Sequence, residues 1–270
     1  MQKISKRCFG NLVMTMIIVI WAMPSTVLAA SWSISNVPSY FSGDFNSQTR
    51  TDIFYDPTTI QAQGNGWGIN LTIPYIAISN LPNGATYDGS MMLNGGKGAQ
   101  THGASGMGDV LLAANYQAYQ GAGFWPSVSP YTLIKFGTAS PNAGLGTGLN
   151  DYEIGSSFTE NLGWVHPYFT LGYDFVGHDA AYPLRNVMTY SAGTTVDLFL
   201  PGTHSSTDSL ALIYSGSQSE LASYPGIGTV TLAWNHALTT TGTGIQLYVL
   251  KGITTSSPNV GVGCGLHIAF

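Results

Sequence analysis

The sequence predicts an all-β protein, a transmembrane antiparallel up-and-down β-barrel, on three observations. Apolar residues alternate with small or polar ones over several segments of about 9–11 residues, the length of a tilted membrane strand. Charged residues make up 8% of the chain and 34 of its 270 residues are glycine, against about 25% and about 7% in soluble domains. Beyond the first 30 residues no apolar stretch approaches the ~20 residues of a spanning helix. A membrane passage therefore has to be a closed barrel, which leaves no backbone group unpaired in lipid.

The N-terminal segment reads as an export signal. Lys3, Lys6 and Arg7 precede the apolar run Leu12 to Ala22, and Val27-Leu28-Ala29-Ala30 offers small residues for cleavage, the layout of a secretory signal peptide. Residues 1–30 are expected to be removed, leaving 31–270 as the barrel. Removal takes three of the eight basic residues and none of the thirteen acidic ones, which leaves a formal charge of −8. So acidic a chain is not expected to bind nucleic acid. Cys264 is then the one remaining cysteine, and no disulfide can form within the chain.

The strands follow in order. Parity demands an ascending strand within Ser31 to Phe45, and a descending one is expected at 47–62. Trp67, Ile69, Leu71 and Ile73 give the next apolar face, then Val110, Leu112, Ala114 and Tyr116. Noisier alternation covers 127–137. Tyr152, Ile154 and Phe158 define a strand, and Val165, Pro167, Phe169, Leu171, Tyr173 and Phe175 the clearest one. Further runs cover 187–199, 208–219, 228–239 and 243–254. The last runs from Asn259 to Phe270, whose aromatic ring falls on the oily face where a membrane barrel carries its girdle. Twelve strands result, or ten if a noisy run is a loop.

Loop lengths set the orientation, because periplasmic turns are short and outer loops long in such barrels. Connections near 63–66, 120–126, 161–163, 200–207 and 240–242 are expected on the periplasmic side. Those at 79–106, 138–148, 177–186, 220–227 and 255–258 are expected outside. A twelve-stranded lumen is largely filled by its own side chains, so transport calls for a plug or gate. Residues 31–46, as first strand or plug, and the long outer loop 79–106, with Met91 and Met92, are the candidates.

This orientation gathers the charges. Asp109, Lys135, Asp151, Glu153 and Asp174 all fall on the non-lipid face near the outer ends of consecutive strands. They read either as an ion-pair network bracing the wall, since a buried charge persists only when paired, or as a polar constriction that screens solutes. Leu111, Tyr131, Leu133, Tyr168 and Val176 are expected to point inward and line the lumen.

Several short motifs occur in a fixed order: Val37-Pro38-Ser39-Tyr40-Phe41-Ser42-Gly43-Asp44-Phe45, Ile73-Pro74-Tyr75, Gly106-Met107-Gly108-Asp109-Val110, Gly144-Leu145-Gly146-Thr147-Gly148-Leu149-Asn150-Asp151-Tyr152 and Lys251-Gly252-Ile253-Thr254-Thr255-Ser256-Ser257-Pro258-Asn259. Together they resemble the outer-membrane barrel family named after the meta-pathway of phenol degradation. The resemblance spans about residues 37 to 270 and implies an outer-membrane transporter for hydrophobic or aromatic compounds. Lys135-Phe136-Gly137-Thr138 stands where that family has Lys-Leu-Pro-Thr, and Ser257-Pro258-Asn259 where it has Ser-Pro-Asp.

The expected activity is that of a channel for small, weakly charged, hydrophobic solutes in the bacterial outer membrane, not an enzyme. The expected partners are outer-membrane lipids, the solute, and the envelope barrel-assembly machinery reading the strand that ends at Phe270. No cofactor or metal is expected, because the six histidines show no pair at ligand spacing on one element. The competing classes are an outer-membrane hydrolase acting on lipid, with His236 as base, and a structural barrel. A hydrolase needs a nucleophile within reach of that base.

Overall fold

A computed structural model describes residues 30–270 except 90–91, 95–102, 124, 199–206, 223 and 240–241. The expected signal peptide therefore lies outside the described residues, apart from Ala30.

Alternation produces one closed antiparallel sheet. Its strands are β1 (Ser31–Asn36), β2 (Ser39–Gly43), β3 (Thr51–Gly64), β4 (Trp67–Ser79), β7 (Gly103–Met107), β8 (Val110–Tyr116), β9 (Ser127–Phe136), β10 (Asp151–Thr159), β11 (Val165–Phe175), β12 (Val187–Leu198), β13 (Asp208–Ser217), β14 (Ile227–Ala237), β15 (Gly244–Gly252) and β16 (Val260–Ala269). A separate short hairpin is formed by β5 (Ala85–Tyr87) and β6 (Met92–Asn94).

Two staves are broken strands. β1 and β2 both pair with β3 and with β16, and β7 and β8 both pair with β4. The fourteen pieces thus make twelve staves, and Ser33↔Ala269 with Val260↔Ser42 closes the cylinder. The first break falls at Val37-Pro38, where proline has no N–H for the ladder. The second falls at Gly108-Asp109, where the Gly108 N–H turns to the Pro74 carbonyl at 2.9 Å. Twelve staves stand, not ten, and residues 31–43 belong to the wall, not to a plug.

The outside is oily along its whole height. Leu212, Leu232, Leu247, Val249 and Ile154 are exposed at mid-strand. Aromatic rings mark both rims: Trp32, Trp125, Trp164 and Phe270 at one end, Tyr40, Phe54, Tyr75, Tyr152 and Phe175 at the other. Two such girdles flanking an apolar band are the outer-membrane pattern.

The tightest connection is at the first rim, where Asn65-Gly66 joins β3 to β4 with Gly66 at φ 78°, the positive φ a tight turn requires. The two longest, between β4 and β7 and between β9 and β10, are at the other rim. The expected outer loop 79–106 differs in detail: 103–107 is strand β7 in the wall, and the β5–β6 hairpin folds back into the mouth. Leu81, Ala85, Tyr87 and Met92 of this segment bury against the inward Ile53, Ile76 and Ile78 of the wall and against Leu145. The outer end of the barrel therefore has a packed interior.

Candidate functional site

Strand register assembles the site. Leu133, Glu153, Asp174 and Val187 are successive cross-strand partners on β9, β10, β11 and β12, and Leu111, Lys135 and Asp151 form the next row on β8, β9 and β10. Period-2 alternation aims all seven side chains inward. Below the hairpin they surround a cavity of about 250 Å³.

Among the described residues Lys135 is the cation lining this cavity, with its side chain only 13% exposed. It forms an ion pair with Asp151 and donates to the Asp88 carbonyl at 3.2 Å, tying the hairpin turn to the wall. Asp151 also accepts the Gly177 N–H at 2.7 Å, and Asp109 accepts the Ala139 N–H at 2.9 Å. Glu153 accepts from the Tyr131 hydroxyl at 2.5 Å and from the Thr189 hydroxyl at 2.6 Å. In contrast, Asp174 Oδ1 and Glu220 Oε2 are shielded from solvent and accept no hydrogen bond among the described residues.

Glycines make room for this network. A Cβ on Gly172 would lie 2.2 Å from Glu153 Oε1 and 2.4 Å from the Tyr131 hydroxyl. One on Gly193 would meet the Tyr168 ring at 2.8 Å. The inner tyrosines lie flat across neighbouring strands only because those positions carry no side chain.

All five residues expected in a charged cluster line this one cavity, with Leu111 and Leu133. Tyr131 reaches it through Glu153. Two of the expected lumen-lining residues lie outside this cavity. Tyr168 pairs with Gly193 and Thr159, nearer the short-turn end, because one row of a strand reaches only a few ångströms along the axis. Val176 lies just past the end of β11, where it is buried with Leu93, Tyr182, Leu184 and Val187 in a second apolar cluster beneath the hairpin.

Sequence reasoning missed Asp88 and Glu220. Asp88 is in the hairpin turn and Glu220 in the loop after β13, and both are buried at the cavity. Burial, and next the Asp88 carboxylate beside it, hold the Glu220 carboxyl well above the usual carboxylate range. The Glu220 carbonyl accepts the Arg185 N–H at 3.0 Å, and the Ser219 carbonyl accepts the Arg185 guanidinium at 2.7 Å. Only the scarcity of charge in this chain could have drawn notice to these two residues.

Among the described residues no group of histidine, cysteine or carboxylate side chains converges as a metal site. His236 has the Asp208 carboxylate at 3.0 Å and stacks on Trp234. On β14 the even-numbered positions face outward with Leu232, so this pair belongs to the aromatic rim. No serine hydrogen-bonds to His236 among the described residues.

No family model matches the chain, and no curated protein matches it. Among solved structures the chain is similar to an outer membrane channel from Pseudomonas putida F1. Identity is 10% and the TM-score 0.67, over 92% of this chain and 97% of that one. The translocator domain of autotransporter NalP from Neisseria meningitidis follows at 8% identity and TM-score 0.49, over 97% and 95%. The CymD monoaromatic hydrocarbon channel shows 9% identity and TM-score 0.42, over 89% and 87%. The first likeness carries the fold, which is that of outer-membrane barrels. The other two carry no argument of their own.

Proposed function

We propose that this protein is an outer-membrane channel for small hydrophobic, including aromatic, solutes. One observation carries the reading: the lumen is a plugged passage holding a solute-sized cavity under a docked hairpin. Leu111, Leu133, Leu145 and Val187 line one part of that cavity. At about 250 Å³ it exceeds the apolar cavity of about 150 Å³ that admits benzene in a packed protein core. The ordered motifs that resemble the phenol meta-pathway family point the same way. In this reading outer-membrane lipids surround the oily belt, and the envelope barrel-assembly machinery reads β16 and Phe270.

The test is uptake of a monoaromatic hydrocarbon such as toluene into liposomes holding the purified barrel, together with single-channel recording in planar bilayers. Uptake well above that of empty liposomes is expected, with small, gated currents. Uptake equal to that of empty liposomes overturns the reading.

A further inference from the structure

The cavity walls are unbalanced in charge. Among the described residues six carboxyl groups line the cavity, Asp88, Asp109, Asp151, Glu153, Asp174 and Glu220, against one ammonium, that of Lys135. Lys135 is committed to Asp151 and to the Asp88 carbonyl. Asp109 and Glu153 have protein donors. Glu153 and Asp174 stand directly opposite each other on β10 and β11, a like-charge pairing that weakens a sheet.

Two carboxyl oxygens stand apart from this network. Glu220 is 8% exposed, lines the cavity, and its Oε2 accepts nothing among the described residues. Asp174 Oδ1 is in the same position. Glu220 answers the Asp88 carboxylate beside it by holding its proton tightly, whereas a shielded carboxylate oxygen such as Asp174 Oδ1 without a donor is unfavourable. A ligand bearing N–H donors and positive charge supplies that donor and lets Glu220 release its proton and face the charge as a carboxylate. Since no three ligating side chains converge on one point among the described residues, a compact metal ion fits poorly. A cation that spreads its donors fits better, and the leucines and Val187 of the same cavity supply a surface for an apolar body.

Resting on the channel reading above, we propose that the cavity takes a small hydrophobic amine in its ammonium form. The ammonium lies among Asp174, Glu220 and Glu153, and the hydrocarbon or ring lies against Leu111, Leu133, Leu145 and Val187. Recognition is by charge-assisted hydrogen bonds to carboxyl oxygens that accept none among the described residues.

The test uses the whole barrel in detergent micelles with phenethylammonium, 2-phenylethanol and phenylacetate as probes, and calorimetry as readout. Phenethylammonium is expected to bind about tenfold more tightly than 2-phenylethanol, the factor that one further charge-assisted hydrogen bond supplies. Phenylacetate is expected to bind more weakly than either. Glu220→Gln and Asp174→Asn keep side-chain shape and should each reduce the preference for the ammonium. Equal binding of ammonium and alcohol, or an undiminished preference in both variants, overturns the proposal. Planar-bilayer recordings separate this from the channel reading. Toluene uptake without amine preference overturns the amine site and leaves the channel standing. Amine-selective binding without solute passage supports the site and overturns the channel.

Discussion

Lys135 shows how much one side chain holds in place. It is a buried cation whose partners come from two elements, Asp151 on the wall and the Asp88 carbonyl on the hairpin. Lys135→Met should destabilise the barrel by about 3–5 kcal/mol, the cost of leaving a buried partner charge unmatched. Adding Asp151→Leu should recover much of that loss in urea unfolding from lipid vesicles. An additive double variant would show that the pair is not coupled. At Gly172 any side chain has to displace Glu153 and Tyr131, so Gly172→Ala should cost about 1–3 kcal/mol in the same assay. Glu220 adds a pH dependence. Its folded carboxyl holds a proton more tightly than an unfolded one, through burial first and Asp88 second. Its stabilising contribution is thus full at acid pH and is lost as pH rises above the ordinary carboxylate range of about 4.3. The melting temperature of the wild type should fall over that rise, and Glu220→Gln should flatten the fall. Equal slopes would remove Glu220 as the cause.

At the scale of elements, the β5–β6 hairpin is the part whose position matters for passage. It is held by apolar burial of Leu93 with Val176, Tyr182 and Val187, by the Thr86–Tyr182 hydroxyl contact of 3.0 Å, and by the Lys135 tie. The wall carries ladders along whole strands, whereas the hairpin has only three paired residues on each side. Local opening free energies follow such differences in paired backbone and buried contact. Leu93→Ala removes about 2–5 kcal/mol of buried packing from the docked state alone. Single-channel records of this variant should show more frequent or larger openings than wild type, with melting of the barrel little changed. The hairpin was not legible in the sequence as structure. Strands of three residues are too short to show a period, and Gly103–Met107, built largely of glycine, alanine and serine, gave no apolar face to read. The turn residues were visible and the inward fold was not, since nothing local records which wall a loop packs against.

For the whole molecule the legible and illegible parts divide along the same physical line. Lipid contact demands an oily residue at every second position, so each long strand announced itself, and the count of twelve followed from where a chain must enter and leave a closed barrel. The same alternation placed Asp109, Lys135, Asp151, Glu153 and Asp174 on one inner surface, because register converts neighbouring strands into rows. Depth along the axis is not recorded by alternation: Tyr168 faces inward and Val176 is buried at the mouth, and neither lines the cavity. Loop residues Asp88 and Glu220 carry no parity at all. A membrane barrel also makes a depth-graded prediction that a soluble sandwich does not. Leu232 pairs with Leu212 at mid-strand and both face outward, while Leu238 is exposed just past the end of β14 at the short-turn rim. Leu232→Arg should destabilise the folded barrel by about 2–4 kcal/mol and Leu238→Arg by about 0–1 kcal/mol, the difference between bilayer midplane and interface. Unfolding in vesicles measures both. Near-equal losses at the two depths would mean that this oily belt does not face acyl chains.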